Sequence, residues 1–271
     1  MSSNAILHTP DAGDARLAGC DVIYSPAGQA GEYSPVTLNI YRGCGHGCKY
    51  CYVPAAIRMK RDVFDAGALP RKDFLNRLRR DAEKCQAAGF SEQILLCFTT
   101  DPFHPGDTNL TRQTIEILRE HNLGFCTLTK GGKRALRDLD LFRPDRDAFA
   151  STITSLDDAT SLNWEPNAAL PADRIAALKA FHDAGIFTWV SLEPTLDAET
   201  SLKIVKESHH YVDLFKIGKL NYAKNVTEWK EYTLRMIELC SELGVKHYIK
   251  RDLAKYLPVN YSNPLRVRQH N

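Results

Sequence analysis

Three cysteines, Cys44, Cys48 and Cys51, stand in the spacing C-x3-C-x2-C just after an apolar run that reads as a β-strand. Three thiolates from one short loop suit the corners of a [4Fe–4S] cube. One iron would then lack a protein ligand, and that open corner is where chemistry can occur. Glycines at 43, 45 and 47 leave the loop free to fold back around a single bound object. A zinc site is the competing metal reading, with His46 as its fourth ligand. No second cysteine or histidine pair follows downstream, and Cys-x-His-x-Cys is cramped for a tetrahedron. Ordinary buried cysteines account poorly for three so close together among glycines. Cys20, Cys85, Cys97, Cys126 and Cys240 have no metal spacing and read as small core residues.

A loop of this kind works only if rigid elements present it, and the rest of the chain supplies them. At 271 residues it is long enough for one large α/β domain. A hydrophobic share of 44% and a charged share of 25% are ordinary for a globular protein. The net charge of +2 is too balanced to imply nucleic acid or a membrane by itself. No run of about 18 apolar residues reads as a membrane span. The start of the chain lacks a secretory pattern, and the cysteine usage argues for a reducing cytoplasm.

After the first strand, Val36 to Tyr41, apolar runs alternate with amphipathic segments. Strands are expected at 93–100, 125–130, 148–155, 187–193, 213–219 and 246–250. Helices are expected at 55–61, 71–88, 111–121, 133–139, 171–184, 198–208 and 226–243. Six or seven strands alternating with helices predict an α/β fold with a parallel sheet, curled into an open or closed barrel. The expected organisation is an N-terminal extension over 1–35, a barrel over 36–253 and a basic tail or flap over 254–271.

In such sheets ligands bind at the carboxyl ends of the strands. The polar residues there are Thr99, Thr100 and Asp101; Thr129 and Lys130; Thr152, Thr154 and Ser155; Ser191 and Glu193; Lys216 and Lys219; and Lys250. Ser151 has the parity opposite to that of Thr152 and Thr154, so only one of the two sets can face the barrel lumen. Glu193 ends a nearly unbroken apolar strand, so its carboxylate needs a partner, and Lys216 or Lys219 on the next strand is expected to supply it.

The cysteine spacing, with the aromatic Tyr50 before the third cysteine, resembles the cluster loop of the radical S-adenosylmethionine (SAM) enzymes. The longer string Tyr-Arg-Gly-Cys-x-His-x-Cys-x-Tyr-Cys-Tyr-x-Pro, at 41–54, is similar to the branch that includes spore photoproduct lyase and uncharacterised bacterial and phage relatives. The resemblance runs from about residue 32 to residue 253. It implies a partial (β/α)6 barrel, a [4Fe–4S] cluster on Cys44, Cys48 and Cys51, and SAM chelated to the open iron. Reductive cleavage of SAM would give a 5′-deoxyadenosyl radical that abstracts a substrate hydrogen. Lys130 is placed to meet the SAM carboxylate, and Thr99, Thr100 or Asp101 its amino group. Tyr50 joins that cofactor set, and Thr152 or Thr154 fits the ribose. Ser155-Leu-Asp157, Trp164-Glu165-Pro166 and Arg174 resemble a segment of the same branch, with Arg174 pairing Glu165 or a substrate carboxylate. Glu193 and Lys216 are the residues expected to act on substrate. The implied partners are a reductant such as flavodoxin or ferredoxin and a nucleic acid or nucleotide substrate. The implied chemistry is lyase-like. A small metabolite or peptide is the next substrate class. An iron–sulfur sensor or nucleic-acid-binding module without SAM chemistry is the reading from another class.

Overall fold

The computed structural model describes residues 15–220, 228–258, 261 and 263. The chain begins its regular structure with β1 (Val36–Leu38), β2 (Tyr41–Arg42), α1 (Val53–Ala56), α2 (Arg61–Asp65), β3 (Leu69–Pro70) and α3 (Phe74–Ala87). It continues through β4 (Ile94–Leu96), α4 (Asn109–Glu120), β5 (Phe125–Thr129), β6 (Ala148–Thr152), α5 (Asp158–Trp164) and α6 (Pro171–Asp183). The last elements are β7 (Phe187–Thr195), α7 (Ala198–Ser208), β8 (Leu214–Lys219), α8 (Trp229–Glu242), β9 (Lys246–Ile249) and α9 (Arg251–Ala254).

Seven strands form one parallel sheet in the order β1-β4-β5-β6-β7-β8-β9. No pairing joins β1 to β9 among the described residues, so the sheet curls into an open α/β barrel. The seventh strand expected over 246–250 is present as β9, which pairs along its whole length with β8; the six-stranded count that the resemblance implies is exceeded by one. The short β2 and β3 pair separately and antiparallel, beside the cysteine loop. The segment over 133–139, expected as an α-helix, is a 3-10 helix over Gly132–Leu141. The start of the last long helix at Val226, residues 1–14 and most of the tail over 254–271 lie outside the described residues.

Strand alternation sorts side chains onto two faces. One set, including Leu95, Cys126, Ala148, Ala150, Trp189 and Leu214, fills the lumen. The opposite parity packs under the helices, where Phe149 stacks on Phe181 of α6 with ring centroids 3.8 Å apart. Helix starts follow local chemistry. Asp157 and Asp197 accept from the backbone N–H of Thr160 and Thr200 at 2.8 and 2.7 Å, and Pro171 opens α6.

The segment before β1 is tied into the barrel. The buried Asp81 carboxylate on α3 accepts from the N–H groups of Asp21, Val22 and Ile23 at 2.8, 2.6 and 3.1 Å. Further on, the Glu32 carboxylate accepts from the Arg251 N–H at 2.7 Å and the Tyr248 hydroxyl at 3.1 Å. Four residues later the chain enters β1. It thereby crosses from the β9 edge of the open sheet to the β1 edge.

Candidate active site

The cysteine loop leaves β2 through Gly43, whose φ of +86° and close approach to the Gly67 carbonyl exclude a side chain. The Cys44 N–H donates to the Phe64 carbonyl at 2.8 Å, and that of Cys51 to the Cys48 carbonyl at 3.0 Å. The Arg61 guanidinium donates to the Cys48 and Cys51 carbonyls. From the far side, the Asn167 N–H and side-chain amide donate to His46 and Gly45 at 3.1 and 3.0 Å. Arg61 thus braces the cysteine loop.

All three thiols of the loop line one cavity of about 520 Å³ at the carboxyl ends of the strands. Among the described residues no group of three or more His, Cys, Asp and Glu side chains is gathered to hold a single metal ion. His46 is engaged elsewhere: Nε2 lies 2.9 Å from the Asp101 carboxylate and Nδ1 3.3 Å from the Asn167 carbonyl. The zinc reading therefore lacks its fourth ligand. Burial pushes the thiol of Cys44 up to about 12 and that of Cys48 to about 11, so thiolates here need a metal's positive charge. An all-sulfur set from one loop, opening on a cavity, fits an iron–sulfur cluster whose irons each take one thiolate.

Asp101 is a hub. It accepts from the Phe103 N–H at 2.8 Å, the Thr129 hydroxyl at 2.5 Å and the Lys130 N–H at 2.7 Å, beside His46. Burial alone would raise its pKa, but His46 and these donors override that and hold the carboxyl well below the usual range. Thr99 donates to Asn39 at 2.9 Å, and Thr100 donates to the Gly43 carbonyl. All three line the cavity, yet their polar groups first serve to lock the loop to the strand ends.

Glu165 is a second hub. Its carboxylate pairs with Arg174 at 2.5 Å and accepts from the Tyr50 hydroxyl and from Thr154 at 3.2 Å. Arg174 is buried and also donates to the Ala169 and Thr152 carbonyls at 2.6 and 3.0 Å. The expected pairing of Arg174 with Glu165 is thus present, and Arg174 and Thr154 form the wall behind Tyr50, outside the residues that line the cavity. Lys130 and Thr152 line the cavity, with the Lys130 ammonium 5.6 Å from the Tyr50 ring centre. Burial works against the charge of Lys130, but Cys48 and Glu165 raise its pKa.

Glu193 sits at the end of β7, the fifth strand of the sheet, and lines the cavity. Its partners are Lys250 and the Tyr33 hydroxyl. The expected partner, Lys216 or Lys219, is corrected to Lys250, because the Lys216 side chain turns into the lumen. There its ammonium lies 4.5 Å from the Trp189 ring and donates to the Glu32 and Tyr33 carbonyls at 3.2 and 2.7 Å. Sequence reading missed Tyr33, which comes from a segment without periodicity, and gave Lys250 no partner. It also put Cys97 in the core alone. Cys97 is buried but lines the cavity, at a positive φ of 66° that ends the alternation of β4.

The sequence model of the Radical SAM superfamily matches residues 38–200. The chain belongs to that superfamily. Its fold is similar to that of spore photoproduct lyase complexed with dinucleoside spore photoproduct. That match has a TM-score of 0.65 at 16% identity and covers 86% of this chain and 79% of that one. It is also similar to SuiB of Streptococcus suis bound to S-adenosylmethionine, with a TM-score of 0.59 at 14% identity over 84% of this chain. The chain spans about half the length of SuiB, 53% of that chain. At these identities the likeness is one of fold. A comparison with curated proteins found no match.

Proposed function

We propose that this protein is a radical SAM enzyme that acts on a nucleotide or nucleic acid. The observation that carries the first half is the meeting of Cys44, Cys48 and Cys51 with Lys130 and Thr152 in one cavity. With a [4Fe–4S] cluster and SAM bound, one electron would cleave SAM to methionine and a 5′-deoxyadenosyl radical able to take a substrate hydrogen. The three cysteines would hold the cluster, and Lys130 would meet the SAM carboxylate while Thr152 faces its ribose. Asp101 and Glu165 would hold those groups in register, and the apolar walls would keep water from the radical. A low-potential donor such as flavodoxin or ferredoxin would supply the electron.

The substrate half rests on the likeness of residues 41–54 to the photoproduct-lyase branch and on the cationic and aromatic groups of the cavity, Lys219, Lys250, Tyr33 and Tyr52. The reaction would be lyase-like. Eight cysteines without a disulfide fit a reducing, cytoplasmic setting. No helix among the described residues is long and apolar enough to cross a membrane. The test is anaerobic reconstitution followed by dithionite and SAM. Formation of 5′-deoxyadenosine is expected. A protein that binds iron and sulfide but yields none would be a sensor, and the enzyme reading would fall.

A further inference from the structure

The wall of the cavity that carries Glu193 has an unusual backbone. The pairing of β7 with β8 slips, so that Leu192 faces Ile217 and Thr195 faces Lys219. Glu193 and Pro194 thus stand opposite the single residue Gly218, as in a β-bulge, which re-aims a side chain. The Glu193 side chain folds over Gly218. A Cβ added there would lie 2.7 Å from both Cδ and Oε1 of Glu193, so only glycine leaves this seat open.

The seated carboxylate is used on one side. Among the described residues, Oε2 accepts from Tyr33 and Lys250, while no protein donor reaches Oε1. The Lys250 ammonium, 3.7 Å from the Tyr33 ring centre, has three N–H donors, of which Glu193 takes one. An acceptor and a donor therefore stand side by side at the edge of the cavity. Tyr33 is itself fixed, since Lys216 grips its carbonyl from below at 2.7 Å. Phe98 and the half-exposed Tyr52, at 49%, add aromatic surface to the same cavity.

We propose that Glu193 and Lys250, seated by Gly218 and Tyr33, recognise the edge of a nucleobase that carries an N–H beside a C=O. Glu193 accepts from the ring N–H and Lys250 donates to the carbonyl. The aromatic walls receive the ring, as single-stranded bases are commonly received. Gly218 and Tyr33 are positioning residues, acting through Glu193. A peptide amide offers the same donor and acceptor without a ring, and the aromatic surface favours the base.

This inference rests on the nucleotide reading above, and binding without turnover separates the two. The reconstituted protein, with SAM and no reductant, is titrated calorimetrically with uridine monophosphate and with its 3-methyl derivative, which lacks the ring N–H. Wild type should bind the first about tenfold more tightly, on the scale of one charge-assisted hydrogen bond. Glu193→Gln and Gly218→Ala should each reduce that ratio to within about twofold, with iron content and SAM affinity as in wild type. Tyr33→Phe should lower it by a smaller factor. Equal binding of the two nucleotides by wild type, or an unchanged ratio in Glu193→Gln, would overturn the inference and leave the nucleotide reading standing. Tighter binding of glycylglycinamide than of uridine monophosphate would overturn both, as would no nucleotide binding at all. Formation of 5′-deoxyadenosine would be untouched by either result.

Discussion

The two sides of the cavity treat their carboxylates in opposite ways. On the side of the cysteine loop, Asp101 and Glu165 are buried, and each is surrounded by protein donors. On the other side, Glu193 is partly exposed to the cavity and uses one oxygen within the protein. A buried carboxylate with both oxygens engaged by protein groups is scaffolding, because binding a ligand would first break an internal contact. One with an oxygen to spare can meet a ligand at little cost. Asp101 follows β4 and Glu193 lies near the end of β7, so position after a strand alone does not tell the two kinds apart.

The largest effect expected from breaking this arrangement is at the cysteines. Alanine at Cys44, Cys48 or Cys51 should abolish the loading of about four irons per chain, whereas Cys97→Ala should retain it. Iron and sulfide analysis with the visible absorbance checks both. Normal loading in all three loop variants would remove the cluster side from the comparison.

Next comes the contrast between the two ion pairs. Arg174→Met strands the buried Glu165 and should cost about 3–5 kcal/mol, lowering Tm by roughly 10 °C. Lys250→Met leaves Glu193 reachable from the cavity, so its loss should be clearly smaller. Calorimetric melting of both variants decides it. Equal losses would mean that Glu193 is as much scaffold as Glu165.

Lys130 stands between the two sides, with its N–H on Asp101 and its ammonium toward the cavity. Lys130→Ala keeps the backbone bond and removes the ammonium. SAM affinity should fall about tenfold with cluster content unchanged. Unaltered SAM binding would make Lys130 a solvated residue at a helix start.

The smallest effect is a pH slope. Burial pushes the Lys216 ammonium down to about 7, with Cys126 and Glu32 working against that shift and Lys250 adding to it. In the unfolded chain a lysine titrates near its ordinary value of about 10.4. Between these two values the unfolded chain holds a proton that the folded chain lacks, so stability should rise with pH across that window. Below about 7 both forms are protonated and this contribution to the slope vanishes. Denaturant titrations from pH 7 to 10 should show the rise in wild type and a flatter course in Lys216→Met. The same slope in both would show that Lys216 stays charged in its pocket.

The cysteine loop, the alternation of strands and helices, and the polar strand ends were all legible in the amino-acid order. Each is a local property: ligand spacing within one loop, a period of two or of 3.6, a polar residue after an apolar run. Glu193 was legible for the same reason, as an acid closing an apolar strand. Its partner was not. The choice of Lys250 over Lys216 depends on which parity of β8 faces the lumen and on a slip in pairing at Glu193–Pro194, and both are set only when the sheet assembles. Nor does the order of residues reveal that Tyr33, 160 positions before Glu193, returns to cap it. The segment that carries Tyr33 has no period of its own and takes its place by bridging the two edges of an open barrel. Sequence determined which chemistry the chain can hold, because that depends on residue type and short spacing. Tertiary structure decided which groups are spent on one another and which remain for a ligand, because hydrogen-bond saturation is a property of neighbours in space.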